Sequence, residues 1–529
     1  MSGARRLLEL TQISVAAPGA ARPELEDFSL TLNAGETVVV LGEAGCGKDA
    51  VLRVAGGLCE RGEDVSGTIR FAADEPVQAA CKPRPAIRVA YLPASSPLPL
   101  DPRASAAAQL ARIVARKLEC PRDGAREELR AALARLAGAP PIEALDRPAG
   151  KLGTATIGWG LLAAVCAATP ELVLCDHPFA DVSPVSARAL TMALLAEQAR
   201  LGFAIVFAAR LPQSVARLGG RALVLRHGRV VEEGDASHLL SGQTHSYTQA
   251  LFKALPRPAL DKPPRAAARG EPLLQVHGLV LRPGGGTNPR PRDAIAFELR
   301  RGASLALLGE DGSGRHALAR AVLGLDRRPG RILFDAVDLN LLSEAMTSRL
   351  RRRIAFVTGN ADALDSRMTL WDTVDEPLRA HLKLSRELTS GYRDAALKRV
   401  GLASHDGRRT VASLSAFDRR RLQVARAIVA APLLLVVDEP LRGLDAIART
   451  TMRDLLAEFR IEQQSAFLVI TNDFSVAQAL ADEAMVLDQG RVIERGPVRE
   501  LARAPKDAIT RALIDAAAFQ ALPQASIPV

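Results

Sequence analysis

Short apolar runs recur along the chain and alternate with stretches that have the periodicity of helices. The runs are rich in Val, Leu, Ile and Phe, which is typical of strands that are buried on both faces of a sheet. Strands that alternate with helices predict parallel α/β sheets with ligand sites at the strand ends. The predicted strands are residues 36–41, 172–175, 203–208, 303–308, 433–437 and 466–471.

Two longer stretches, 103–168 and 368–430, are helix-rich by composition, so we expect a helical lobe inserted into each α/β core. Residues 253–272 are rich in Pro, Ala and Arg and have no apolar periodicity, which predicts a semi-extended linker. The predicted domains are therefore 1–252 and 273–529.

The two halves of the chain repeat each other in sequence order, which indicates a duplicated unit. The matched segments are 7–15 with 273–281, 89–93 with 354–358, 171–178 with 433–440, and 228–234 with 490–496.

A glycine-rich loop follows an apolar run in each half and precedes a helical pattern. In the first half, Gly42, Gly45 and Gly47 let backbone N–H groups turn onto phosphates, and Lys48 is placed to meet the outer phosphates. Asp49 stands where such a loop needs a Ser or Thr hydroxyl for Mg²⁺. The sequence predicts a nucleotide loop with one ligand replaced.

The second loop carries the same glycines at Gly309, Gly312 and Gly314. Here Arg315 replaces the lysine, and His316 stands at the hydroxyl position. Both nucleotide loops of the duplicated unit are therefore altered.

Composition and charge narrow the class of protein. The net charge of +10 comes from arginines spread along both halves, which could face nucleic acid or anionic lipid or simply solvent. An aromatic content of 4% leaves little for base stacking, so we expect no nucleic-acid partner.

No stretch approaches the roughly 18 apolar residues of a membrane span. The six cysteines form no CxxC pair and are typical of a reducing compartment, and the N-terminus predicts a cytoplasmic first strand.

These motifs, in this order, resemble the ATP-binding cassette (ABC) family, in particular the nucleotide-binding subunits of oligopeptide, dipeptide and nickel importers fused in tandem. The His-Ser-Tyr-Thr segment at 245–248 is similar to the His-Pro-Tyr-Thr element that follows the core in peptide importers. The resemblance implies two α/β P-loop (RecA-like) domains, each with an inserted helical subdomain, that bind ATP and Mg²⁺ and pair as an intramolecular dimer. It also implies two membrane permease subunits and a substrate-binding protein as partners, and a cytoplasmic location, peripheral at the inner face of the membrane.

The resemblance assigns Asp176 and Asp438 to the water shell of Mg²⁺. In the second copy, Glu439 is the candidate that polarises the attacking water, whereas the first copy has His177 at that position. Only the second copy keeps this catalytic carboxylate.

The signature that meets the γ-phosphate is altered in both copies. Ser415 keeps the signature serine of the second copy, but Phe417 stands where the family has a glycine. The first copy reads Leu-Gly-Thr-Ala at 152–155. The D-loop is altered at 181–183 and intact at 443–445. The remaining switch positions are replaced by Ala17, Ala94 and Ala209 in the first copy, and by Pro283, Thr358 or Gly359, and Asn472 in the second.

Cassettes of this family pair motifs from opposite copies. Lys48 would then share a site with Ser415, whereas Glu439 would share the other with Arg315 and Gly153. Because neither site holds both the lysine and the glutamate, we expect weak or absent hydrolysis. The expected function is the ATP-binding subunit of a peptide-type or nickel-type importer.

Other interpretations stay open. A catalytically inactive cassette that acts as a scaffold or regulator fits the same residues, whereas a soluble translation-factor type is disfavoured by the short linker and the importer-like tail. At the residue level, His316 could cap the helix after its loop, and His177 could simply fill the end of a strand. His245 and Tyr247 are expected to pack in a tail helix.

Overall fold

The computed structural model divides into two compact units, one formed mainly by the first half of the chain and the other mainly by the second half. It describes residues 5–18, 22–58, 62–72, 75–79, 87–94, 99–241, 245–254, 270–281, 294–343, 346, 350, 352–382, 384–403 and 406–521.

The first half contains two sheets. Its strands are β1 (Arg6–Ala16), β2 (Leu25–Asn33), β3 (Thr37–Leu41), β4 (Asp64–Phe71), β5 (Val77–Gln78), β6 (Val89–Leu92), β7 (Leu172–Asp176), β8 (Ala204–Ala209), β9 (Arg221–Arg226) and β10 (Arg229–Asp235). One sheet has the antiparallel order β2-β1-β4-β5, and the other has the order β10-β9-β3-β8-β7-β6. In the second sheet every pair is parallel except β9 with β10.

The helices of the first half are α1 (Lys48–Ala55), α2 (Ala106–Leu118), α3 (Arg122–Arg135), α4 (Thr154–Ala167), α5 (Pro184–Leu201), α6 (Gln213–Leu218), α7 (Ala236–Leu240) and α8 (Ser246–Lys253). The expected helical lobe at 103–168 is formed by α2, α3 and α4 with two short 3₁₀ segments. Leu110, Leu129 and Leu162 are fully buried in its core. The helices α2 and α3 each turn one apolar face inward, whereas α4 is buried on all sides from Ile157 to Ala167.

The second half repeats this plan. Its strands are β11 (Pro272–Leu279), β12 (Ile295–Arg300), β13 (Ser304–Leu308), β14 (Arg331–Phe334), β15 (Val337–Asp338), β16 (Ile354–Thr358), β17 (Leu434–Asp438), β18 (Ala466–Thr471), β19 (Glu483–Asp488) and β20 (Arg491–Pro497). The sheet orders are β12-β11-β14-β15 and β16-β17-β18-β13-β19-β20.

The helices of the second half are α9 (Arg315–Val322), α10 (Leu370–His381), α11 (Arg386–Arg399), α12 (Ala416–Ile428), α13 (Ala446–Gln463), α14 (Phe474–Leu480), α15 (Val498–Arg503) and α16 (Ala508–Gln520). The lobe expected at 368–430 is formed by α10, α11 and α12. Among the described residues, no helix combines the length and the apolar character needed to cross a membrane.

The mixed sheets position the candidate sites. Every residue of β3 and of β13 is buried, as the apolar runs predict, so both strands lie inside their sheets. In each half, neighbouring parallel strands end at the same edge of the mixed sheet. In the first half this edge holds the glycine loop and the residues after β7 and β8, and in the second half it holds the glycine loop and the residues after β17 and β18.

Candidate nucleotide sites

The first glycine loop connects β3 to α1 and packs closely against neighbouring backbone. Gly47 has a φ of 102°, a left-handed conformation that favours glycine. A Cβ at Gly42 would lie 2.4 Å from the carbonyl oxygen of Leu225, so a side chain does not fit there. None of the described side chains caps the N-terminus of α1, which leaves its amides oriented for an anion.

The ammonium group of Lys48 lies inside this loop. The residue is 3% exposed, and its Nζ donates hydrogen bonds to the carbonyl oxygens of Gly42 (2.9 Å) and Glu43 (2.6 Å). These neutral acceptors can be exchanged for phosphate oxygens without leaving a buried charge unpaired.

The first copy brings Asp49 and Asp176 together with a buried histidine. Asp176 ends β7, and the hydroxyl of Tyr91 donates to its Oδ2 at 2.5 Å. The Nε2 atom of His177 lies 3.8 Å from Oδ1 of Asp49 and 3.9 Å from Oδ1 of Asp176. Burial lowers the pKa of His177, and the neighbouring imidazole lowers the pKa of Asp49 against the opposing effect of burial.

The second loop is filled by its own arginine. Arg315 is 1% exposed, and its Nη1 donates to the carbonyl oxygens of Gly309 (2.5 Å) and Glu310 (2.6 Å). Its Nη2 reaches Oδ1 of Asp311 at 3.2 Å and Oε1 of Glu439 at 3.1 Å. The longer, forked guanidinium therefore contacts two carboxylates. It also contacts the two loop carbonyls that are equivalent to those contacted by Lys48 in the first loop.

The candidate catalytic carboxylate is held from three sides. Besides Arg315, the Thr471 hydroxyl donates to Glu439 Oε2 at 3.2 Å, and the backbone N–H of Asn472 donates to Oε1 at 3.0 Å. Burial raises the pKa of Glu439, and the charge of Arg315 opposes this rise. The interpretation of Glu439 as a hydrogen-bonding residue of the fold thus has contacts to support it, while its catalytic role stays a prediction.

The capping hypothesis for His316 is wrong. Gly314, at the N-cap position of α9, has a left-handed φ of 99°, and none of the described side chains caps the helix. His316 instead directs its Nε2 to Oδ1 of Asp438, 3.1 Å away. The second copy thus pairs an imidazole from the loop with the carboxylate that ends β17.

The two signature positions begin equivalent helices. Ser415 caps α12, since its Oγ accepts a hydrogen bond from the N–H of Asp418 at 3.1 Å. The ring of Phe417 lies under the guanidinium of Arg421, 4.9 Å from the ring centroid. Gly153 begins α4 without a capping contact from any described side chain. The pairing of each signature with the opposite loop stays a prediction.

The switch replacements are ordinary backbone positions in the structure. Gly359 follows β16, and its N–H donates to the carbonyl oxygen of Asp438 at 2.6 Å. A Cβ at Gly359 would lie 2.3 Å from the carbonyl oxygen of Glu439, so a glutamine does not fit this position. The remaining described replacements are Ala17, Ala94, Ala209, Thr358 and Asn472, while Pro283 lies outside the described residues.

Two tyrosines that contact the candidate sites were not singled out for such contacts by the sequence. The expected packing in the tail helix is confirmed for Tyr247, which is 5% exposed, whereas His245 is exposed and its Nδ1 caps α8. In addition, the Tyr247 hydroxyl donates to Oε2 of Glu43 at 3.0 Å and accepts from its N–H at 3.3 Å. Tyr91 comes from β6, far from β7 in sequence, so only the strand order could have placed it beside Asp176.

The fold and these loops define a tandem pair of α/β P-loop nucleotide-binding units. The family model described as ABC transporter matches residues 25–180 and 293–442, and the chain belongs to this family. Membership implies binding of ATP and Mg²⁺. Asp176 and Asp438 fit the metal by their chemistry, since Mg²⁺ prefers hard oxygen ligands.

Two curated relatives match this chain over most of their length. An ABC transporter ATP-binding protein of Escherichia coli K12, YejF, is 29% identical over 514 residues, which cover 93% of this chain and 96% of YejF. The glutathione import ATP-binding protein GsiA of the same strain is 26% identical over 536 residues, or 93% of this chain and 86% of GsiA. A solved structure of cbiO1 from Clostridium perfringens, part of an ABC transporter complex, is 28% identical with a TM-score of 0.40, covering 44% of this chain and 90% of that one.

Proposed function

We propose that this chain is the ATP-binding subunit of an ABC importer for a peptide-like substrate, and that it couples nucleotide binding to transport with impaired or absent hydrolysis. The family match and the tandem similarity to GsiA, whose name states glutathione import, support the importer. Glutathione is a small peptide, which agrees with the peptide-importer branch that the 245–248 segment resembles. The buried Arg315–Glu439 ion pair carries the proposal of impaired hydrolysis.

The second copy has the glutamate but holds it away from catalysis. A water-polarising carboxylate needs an open lone pair in reach of the attacking water. Three of the roughly four acceptor sites of Glu439 are taken by hydrogen bonds from Arg315, Thr471 and the Asn472 backbone. Entry of a γ-phosphate requires Arg315 to leave Glu439 as an uncompensated buried charge, which is unfavourable.

The first copy has the lysine but lacks the glutamate. Lys48 can turn from the loop carbonyls to phosphate oxygens, so this loop retains a way to bind ATP. His177, at the position of the glutamate, is buried, and its depressed pKa favours the neutral imidazole. Asp49 adds a negative charge beside anionic phosphates, which weakens their binding.

The proposed partners follow from the importer function. Two membrane permease subunits would receive the cassettes at the inner face of the membrane, and a substrate-binding protein would deliver the substrate. The chain would then be a cytoplasmic, peripheral protein, and the choice of substrate would lie in the other subunits. The second candidate function is a catalytically inactive scaffold or regulator, which the Arg315–Glu439 ion pair also favours.

The deciding experiment measures binding of a fluorescent ATP analogue and Mg²⁺-dependent ATP turnover by the purified full-length chain. We expect binding that Lys48→Ala abolishes, together with turnover near background that Glu439→Gln leaves unchanged. Turnover well above background that Glu439→Gln abolishes would overturn the proposal of impaired hydrolysis. Absence of ATP binding in the wild type would favour the scaffold.

Transport itself needs a separate measurement in cells. We expect deletion of the gene to reduce uptake of a labelled di- or tripeptide, and Lys48→Ala to restore it less well than the wild type. Unchanged uptake in the deletion strain would contradict the importer function and leave the scaffold.

A further inference from the structure

The first copy collects three metal-ligating side chains at the edge of its mixed sheet. One ligand atom each from Asp49, Asp176 and His177 lie within 4.8 Å of one another. Asp49 comes from the first turn of α1, and the other two residues follow one another at the end of β7. A single ion placed between these atoms can contact all three after small side-chain rotations.

His177 is the observation that points to a ligand. Its side chain is 5% exposed, and Nε2 is directed between the two carboxylates. At 3.8 and 3.9 Å both separations are longer than a hydrogen bond, so among the described residues these ring contacts are not direct hydrogen bonds. An ion that contacts the buried imidazole and both carboxylates would bridge the gaps of 3.8 and 3.9 Å between them.

We propose that Asp49, Asp176 and His177 form a binding site for one divalent transition-metal ion, represented by Zn²⁺, that is occupied without nucleotide. The site goes beyond the proposed function, because two of its three ligands stand where the ABC pattern has a hydroxyl and a glutamate. The ion binds to protein atoms directly, whereas a nucleotide-borne Mg²⁺ reaches the protein with its phosphates.

The arrangement around Asp176 suits this role. Tyr91 donates to Oδ2 of Asp176 and thereby leaves Oδ1 directed at His177. Such an outer hydrogen bond fixes the orientation of a ligating carboxylate. The Asp49 side chain is 64% exposed, so an ion can enter from solvent and keep water as further ligands.

The ligand set selects the metal. Imidazole nitrogen suits Zn²⁺, Ni²⁺, Cu²⁺ and Fe²⁺, whereas Mg²⁺ and Ca²⁺ prefer oxygen ligands alone. The two carboxylates supply negative charge that offsets the cations Lys48 and Arg210, whose charges both act on His177. Lys48 directs its Nζ away to the loop carbonyls, so it does not occupy the space between the ligands.

The test is calorimetric titration of ZnCl₂ into the chelator-treated full-length chain without nucleotide, followed by Co²⁺ absorption spectroscopy to detect the imidazole nitrogen. We expect one tight Zn²⁺ per chain that millimolar Mg²⁺ does not displace. His177→Ala and Asp49→Asn should each weaken this binding at least tenfold and change the Co²⁺ spectrum, and Tyr91→Phe should weaken it less.

The matched control is His238→Ala, since His238 is an exposed imidazole of the same half, 3.5 Å from the single carboxylate of Glu232. It should leave the tight site unchanged. Asp49 is exposed, so Asp49→Asn remains informative where His177→Ala fails to fold. Absence of tight Zn²⁺ binding, or binding that both His177→Ala and Asp49→Asn leave intact, would overturn the site.

Discussion

Arginine in place of lysine changes both the reach and the partners of the cation in the second loop. Lys48 ends in one ammonium group that contacts loop carbonyls, while Arg315 ends in a fork whose second arm reaches Glu439. Both loops therefore have a positive charge at this position, but only the charge of the second loop pairs with the glutamate. Two residues that each resemble a working part of an ATPase are joined to each other within the second unit.

Removing one partner of this buried pair is expected to be costly. In Arg315→Met, Glu439 is left as an unpaired buried carboxylate, and we expect the second unit to lose about 3–5 kcal/mol of unfolding free energy. The chain has two tryptophans, so denaturation in a Trp159→Phe background lets Trp371 report the second half alone.

The control is a double-mutant cycle with Glu439→Gln. Because Arg315→Met with Glu439→Gln removes both charges, the double variant should be more stable than the sum of the single losses predicts, by about 1–3 kcal/mol. Additive losses would show that the two side chains do not interact.

Tyr247 connects the tail helix to the first nucleotide loop through one hydroxyl. In Tyr247→Phe the ring keeps its packing, but Glu43 loses both hydrogen bonds to that hydroxyl. We expect a loss of about 1–2 kcal/mol in the first unit, measured with Trp159 in a Trp371→Phe background, and several-fold weaker ATP binding. Tyr392→Phe is the matched control, since Tyr392 is 51% exposed in the second half, and equal effects of the two variants would contradict this role.

The apolar pattern predicted the buried parallel strands at 36–41, 172–175, 203–208, 303–308, 433–437 and 466–471. The predicted strand at 36–41 is β3 (Thr37–Leu41), and that at 433–437 is β17 (Leu434–Asp438), because buried parallel strands need continuous apolar runs. The side-chain contacts at the strand ends were not predicted by this pattern. His177 and Asp49 are far apart in sequence, and so are Arg315 and Glu439, and periodicity carries no information on which polar side chains meet.

The N-termini of α12 and α4 offer a matched comparison of helix capping. Ser415→Ala removes the hydrogen bond to the Asp418 N–H, and we expect a loss of about 1 kcal/mol, whereas Ser415→Gly should cost only about a few tenths. Gly153→Ser should stabilise the first unit by about a few tenths of a kcal/mol, because no described atom lies within 4 Å of the added Cβ and the backbone is extended.

Chemical denaturation, with Trp371 reporting Ser415 variants and Trp159 reporting Gly153→Ser, checks these values. Equal losses in Ser415→Ala and Ser415→Gly would show that the serine stabilises the helix by some route other than capping.

At the scale of the whole chain, duplication has kept the fold and let the chemistry diverge. The two mixed sheets have equivalent strand orders, and in each the glycine loop follows a strand inside the sheet, β3 or β13. Burial constrains the strands in both halves, whereas the polar residues at their ends differ between the two copies. The first half retains an exchangeable lysine, and the second retains a glutamate bound to its own arginine.

This divergence predicts unequal nucleotide occupancy. Lys48 exchanges neutral carbonyls for phosphates, whereas Arg315 has to abandon Glu439 in a buried site, so the first loop should bind ATP more tightly. We expect native mass spectrometry of the full-length chain with ATP and Mg²⁺ to show one tightly bound nucleotide. Lys48→Ala should remove it, while Arg320→Lys, on the surface of α9, should have no effect.

The same measurement on Arg315→Lys extends the argument to the second loop. A lysine there is too short to keep both the carbonyl and the Glu439 contacts, so it should raise the occupancy toward two nucleotides per chain. Two tight nucleotides already in the wild type would show that the Arg315–Glu439 pair opens readily, and with it the proposed cause of impaired hydrolysis in the second copy would be lost.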